Sequence, residues 1–208
     1  VKKLHNLRAA LAAALAGLFG PKVSHAERIA AMDAAGCDVA RRVALRESAY
    51  VSGHYTLECR AADGSLRWAE DVVNLVVTAG KNDLLDKYMA GSGYTAAWYL
   101  GLIDSAGYTT GPAAGDTMAS HGGWAESTVY SNANRPAVSW NAASASSKSS
   151  TATAFNINGT ATIKGAFLVT NNTKGGTSGL LYSAGTFSGG DRSVQSGDTL
   201  NVTYTASA

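Results

Sequence analysis

The chain has 208 residues and a formal net charge of +2, and charged side chains fill 15% of its positions, against roughly 25% in an average soluble protein. Its two cysteines exclude a disulfide scaffold, its 46% hydrophobic content argues against disorder, and its small net charge argues against a polycationic nucleic-acid binder. What remains is a globular chain, rich in glycine, serine and threonine, of the kind that builds β structure.

The charge is unevenly spread. Residues 1–46 hold eight basic groups against three acidic ones, whereas residues 137–208 hold only six charged side chains of either sign. The head therefore suits an acidic neighbour, or is simply a solvated basic helix. Within it, Leu4, Leu7, Leu11, Leu15 and Leu18 recur at steps of three and four, which predicts one apolar stripe on a helix. Lys2, Lys3 and Arg8 flank the stripe. The same start imitates a secretory signal, with a basic opening, an apolar run from Ala9 to Phe19 and Ser24-His25-Ala26 as a cleavage-like site. A signal needs no stripe, so the spacing favours an amphipathic arm. Gly20-Pro21 ends it, and Ser24-His25-Ala26-Glu27 reads as a capping box for further helix over residues 24–46. The expected division is a helical arm, 1–49, and a β body, 50–208.

From residue 50 the period changes to two. Tyr55, Leu57 and Cys59 alternate with polar residues, Ala62-Asp63-Gly64-Ser65 turns the chain, and Leu66 to Val77 returns: a hairpin. Residues Asn82 to Met89 read as a short helix. Strands are then expected at Ala96–Ile103, Glu126–Tyr130, Ala137–Asn141, Thr151–Ile157, Thr160–Thr170, Gly179–Phe187 and Thr199–Thr205, separated by glycine-rich turns. Many short strands with few helices predict a mainly β fold, an antiparallel β-sandwich of jelly-roll-like type, preceded by the N-terminal α-helical arm.

Chemistry is sparse. His5, His25, His54 and His121 show no metal-ligand spacing. His121-Gly122-Gly123 resembles an oxyanion loop, yet the serine contexts at Ser183 and Ser188 lack the first glycine of a nucleophile elbow. Gly80-Lys81-Asn82 lacks the rest of a phosphate loop. Glu70 and Asp71 alternate across a strand, and Asp83 and Asp86 suit a helix start, so neither pair reads as an acid/base couple. Trp98-Tyr99 and Trp124 are candidates for a sugar-stacking or interface patch, or for core. Cys37 and Cys59 read as reduced thiols. No catalytic, cofactor-binding or metal-binding residue is assigned.

One resemblance goes beyond composition. Asn74-Leu75-Val76-Val77-Thr78-Ala79-Gly80-Lys81-Asn82-Asp83-Leu84-Leu85-Asp86-Lys87-Tyr88 resembles a segment of small structural proteins of tailed bacteriophages. So do Tyr94 to Ile103, Asp116 to Glu126, Leu181 to Gly185, Gly189-Gly190-Asp191 and Ser196 to Leu200, so that the likeness spans roughly residues 54–206. It implies a virion part, assembled in the bacterial cytoplasm, and brings no catalytic motif with it. Combined with the low charge and absent site chemistry, the expectation is a non-enzymatic capsid decoration (cement) protein that clamps shell subunits. Its partners would be the major capsid protein or tail proteins and further copies of itself, without specific nucleic acid or membrane. The expected partner-binding residues are Leu4, Leu7, Leu11, Leu15 and Leu18 with Lys2, Lys3 and Arg8. The alternatives are a tail or fibre component anchored by the same helices and contacting the host surface, an exported β protein with a cleaved signal, and a hydrolase.

Overall fold

Strict alternation makes the first hairpin. In the computed structural model, which describes residues 50–89, 91, 93 and 97–208, β1 (Ser52–Arg60) buries Tyr55, Leu57 and Cys59 completely. It turns back antiparallel into β2 (Leu66–Val73). Gly64 takes φ 84° at the turn, and the Asp63 carboxylate accepts from the Ser65 amide at 2.9 Å, which sets the tight reversal.

The expected strand to Val77 is broken at Asn74. There the chain leaves one sheet for another: β3 (Leu75–Val76) pairs with β9 (Leu181–Thr186), not with β1. The crossing is close, because a Cβ on Gly185 would come within 2.7 Å of Val72 Cγ1. Next, α1 (Thr78–Met89) starts four residues before its expected position. The Lys81 amide donates to the Val77 carbonyl at 3.1 Å, and the Thr78 amide is held by Ala114 at 2.8 Å. The helix lies flush on β9, since a Cβ on Gly80 would overlap the Tyr182 carbonyl.

The remaining strands are β4 (Tyr99–Asp104), β5 (Ala125–Ser127), β6 (Ser147–Ser149), β7 (Thr153–Asn156), β8 (Ala161–Val169), β10 (Arg192–Val194) and β11 (Thr199–Ser207). They complete two antiparallel sheets. The first runs β2-β1-β11, with β6 and β7 both on the far side of β11; the second runs β3-β9-β8-β4-β5, with β10 on β8. The first and last strands lie side by side, in register from Ser52↔Ser207 to Arg60↔Thr199. The body is mainly β, as expected.

Several strand boundaries differ from expectation. Residues Ala137–Asn141 make only isolated bridges, Tyr99↔Ala137 and Trp140↔Ser150, and Tyr130 bridges Ile157 beyond the end of β5. The short polar strands β6 and β10 carry no hydrophobic alternation and were not expected. The arm of residues 1–49, with Leu4, Leu7, Leu11, Leu15, Leu18, Lys2, Lys3 and Arg8, lies outside the described residues.

Two apolar clusters explain the burial. One joins the sheets, Tyr55, Leu57, Leu200, Val202 and Tyr204 from the first meeting Leu100, Leu102, Ile163 and Leu168 from the second. The other covers the opposite face of the second sheet, where Ile103, Phe167, Val169 and Leu181 pack against Val77, Met118 and Trp124. The second sheet is therefore buried on both faces, which is why most of β4 and the second half of β8, Ala166–Val169, are continuous buried runs while β1 and β11 alternate. Among the described residues, no helix is long and apolar enough to cross a membrane.

Candidate functional site

Most of the residues singled out in the sequence have local structural partners. His121 stacks on Trp124 with ring centroids 3.9 Å apart, and its Nδ1 lies 3.0 Å from the Trp124 carbonyl. Trp124 is buried and donates to Asp116 at 2.9 Å. Ser183 is fully buried, with its hydroxyl 2.6 Å from that of Tyr55. Asp191 accepts from Lys164 at 2.6 Å and from Ser105, and these donors hold its carboxyl below the usual range. His121, Ser183 and Asp191 thus sit in three separate bonding environments.

Several other candidates have local partners too. Lys81 lies inside α1, where its amide is already bonded. Glu70 pairs with Arg192, and Asp71 accepts from Thr56 at 2.7 Å. Asp83 pairs with Lys87 one helical turn on, at 3.5 Å. Among the described residues no group of three or more His, Cys, Asp or Glu side chains could hold a metal ion. Cys59 is a buried free thiol whose Sγ lies 3.7 Å from Asp198, and burial, reinforced by that carboxylate, pushes it up to about 12.

What the fold does assemble is an apolar groove of about 450 Å³ between α1 and the end of β11. Adjacent residues Trp98 and Tyr99 face opposite ways. Tyr99 joins the outer cluster, whereas Trp98 packs edge-on against Tyr182 at 5.2 Å and 74°. Tyr182 meets Tyr204 edge-on at 6.5 Å, and Tyr204 meets Trp140 at 6.0 Å. Four aromatic side chains, all on the groove's lining, thus form one edge-to-face series, the geometry that ring quadrupoles favour. Burial raises the phenols of Tyr182 and Tyr204 above their ordinary value, so both stay neutral.

The groove has few charged groups, and these are engaged. Lys87 donates to the Gly93 carbonyl at 2.5 Å as well as pairing with Asp83. Lys148 donates to the Asn141 carbonyl at 2.8 Å and sits 6.0 Å from the Trp140 ring centroid. On α1, Leu84 and Tyr88 line the groove and are exposed, Tyr88 at 84%, and Leu85 and Met89 are exposed on the same helix. Such a surface can take up apolar side chains or the apolar face of a ring. Among the described residues it offers no free nucleophile or acid/base pair.

Reading along the chain singled out Trp98 but neither Trp140 nor Tyr204 as its groove partners. Tyr204 had a signal, since it alternates with Thr203 and Thr205 on β11, but that marks a buried face and not a groove. Arg135 and Glu126, which form a buried ion pair, had no signal of their own. No protein-family model matches the chain, and no curated protein matches it.

Proposed function

We propose that this protein is a non-enzymatic structural component of a tailed-phage virion, a capsid decoration (cement) protein that clamps shell subunits. The observation that carries the reading is the apolar surface of α1, where Leu84, Leu85, Tyr88 and Met89 are exposed beside an open aromatic groove. Contiguous exposed apolar surface marks a place where another molecule docks. The body behind it is densely packed and its polar groups are largely bonded internally, which suits a passive clamp. The likeness of residues 54–206 to small phage structural proteins supports the same reading.

The body reads as a β-sandwich, and the N-terminal residues as its helical arm. The side-by-side first and last strands and the repeated crossings between sheets support a jelly-roll-like description. The hairpins β1–β2, β4–β5 and β8–β9, which stay within one sheet, depart from that pattern. In this reading the protein is assembled in the bacterial cytoplasm and resides in the virion. Its partners are the major capsid protein or tail proteins and other copies of itself.

A tail or fibre role is the second reading, and the half-exposed Trp98 and Trp140 favour it, because indole faces stack on the apolar faces of host-surface sugars. Counting copies in purified particles tests both. Abundance comparable to the shell protein supports the clamp, abundance far below it supports the tail, and absence from particles overturns the virion reading.

A further inference from the structure

We infer that the aromatic groove is the seat for the leucine stripe of a second copy of this chain, so that copies join by exchanging their N-terminal segments. This rests on the structural reading above and names the partner of that same surface.

The groove sets the chemistry of its occupant. Its walls are Trp98, Trp140, Tyr182 and Leu168, its charged rim groups already have partners, and its volume of about 450 Å³ suits a compact apolar insert. Leu4, Leu7, Leu11, Leu15 and Leu18 are an insert of that kind, presented at helical spacing. The exposed Leu84 and Tyr88 on α1 line the groove's helix side and leave that side open to an occupant.

The chain's path supplies the second argument. The described body begins at Tyr50, two residues before β1. Ser52 pairs with Ser207, next to Ala206, which lines the groove. Chain preceding residue 50 therefore joins the body at the groove's end of the first sheet. With the expected helix over residues 24–46, the chain between Leu18 and Tyr50 still reaches about 65 Å, roughly 35 Å of helix and about 30 Å of extended chain. A body of this size has a radius of gyration of about 15 Å. The tether therefore spans to a neighbouring copy with length to spare. Exchange of an identical segment fills every groove while adding a contact between copies, which makes it a low-cost route to association.

The test uses the full chain and two variants that spare the core: Leu11→Asp in the stripe, and Leu84→Asp with Tyr88→Asp at the groove rim. Unchanged thermal melts establish that each variant is folded. Sedimentation velocity should show the parent protein as a dimer or larger. Each variant alone should self-associate at least about tenfold more weakly, since truncating a central apolar anchor has that scale of effect. An equimolar mixture should recover a mixed pair, because the stripe of the rim variant can seat in the intact groove of the Leu11→Asp copy. A parent protein monomeric at tens of micromolar overturns the inference, whether the groove is then filled by its own chain or left open. Association that neither variant weakens overturns it as well. Neither result depends on particles, so absence of the protein from virions would remove the functional reading while leaving the exchange standing or falling by itself.

Discussion

Arg135 and Glu126 meet at two points, Nε donating to Oε1 at 3.0 Å and Nη2 to Oε2 at 2.7 Å, with the arginine side chain wholly enclosed. The same guanidinium donates to the carbonyls of Asn171 at 3.0 Å and Gly176 at 2.6 Å, and Glu126 also accepts from the Gly175 amide at 2.7 Å. One ion pair thus fastens β5 and the chain that follows it to the turn between β8 and β9. Breaking a buried pair leaves the other charge without compensation. Arg135→Met should cost about 3–5 kcal/mol, measured by urea unfolding, and adding Glu126→Leu should recover part of that loss. A single variant as stable as the parent would show that the pair fastens nothing.

Gly80 should resist substitution although alanine is the better helix former. By propensity alone, Gly80→Ala gains about 1 kcal/mol. A Cβ there overlaps the Tyr182 carbonyl, which is backbone and has little room to move. The expected outcome is a net loss of about 1–3 kcal/mol, read as a lower melting temperature. A gain would mean that α1 does not seat on β9.

Cys59 should be silent to thiol reagents at pH 8 in the native protein and react on unfolding. Its folded value of about 12 lies above the ordinary 9.0, so the unfolded chain releases this proton first as pH rises. The resulting stability is fully present below pH 9 and is lost between about 9 and 12. Buried Tyr55, Tyr182 and Tyr204 shift in the same direction and add to the loss at the upper end. Cys59→Ala should flatten the first part of the decline in urea midpoint, from pH 8.5 to about 10.

The turn from Ser144 to Ser147 carries two non-glycine residues in left-handed backbone, Ala145 at φ 49° and Ser146 at φ 57°. Reciprocal backbone bonds of 2.9 Å between Ser144 and Ser147 hold it closed. A two-residue turn of this hand prefers Asn-Gly. Ala145→Asn with Ser146→Gly should stabilise the protein by about 1–2 kcal/mol, seen as a raised urea midpoint. The hairpin legs carry Trp140 and Lys148 to the groove, so the substitution should also narrow the Trp140 environment, read by fluorescence.

Residues 50–208 should fold without the segment before them, because the described residues already join the two sheets through one apolar cluster and cover the second sheet's other face with another. Circular dichroism of the fragment should show strand content and one cooperative melt. An unfolded fragment would mean that residues 1–49 complete the core.

The sequence by itself determined the mainly β character and the hairpin around Gly64, because alternation and turn residues are local properties set by neighbours along the chain. It also marked β8 and β11 closely, since a run of nine residues with a consistent burial pattern has few other ways to pack. Only the tertiary structure decided that Asn74 breaks the expected strand, because the crossing depends on Gly185, more than a hundred residues away, leaving room for Val72. The same holds for β6 and β10, whose polar residues form strands because β11 and β8 present unpaired edges to them. The groove is the clearest case. Trp98, Trp140, Tyr182 and Tyr204 are scattered along the chain, Trp98 alone stands out there as an interface or core candidate, and the four line one cavity only because β11 closes against β1 while α1 seats on β9. Local pattern specifies which side chains seek burial, whereas long-range pairing specifies which of them meet and which are left partly uncovered.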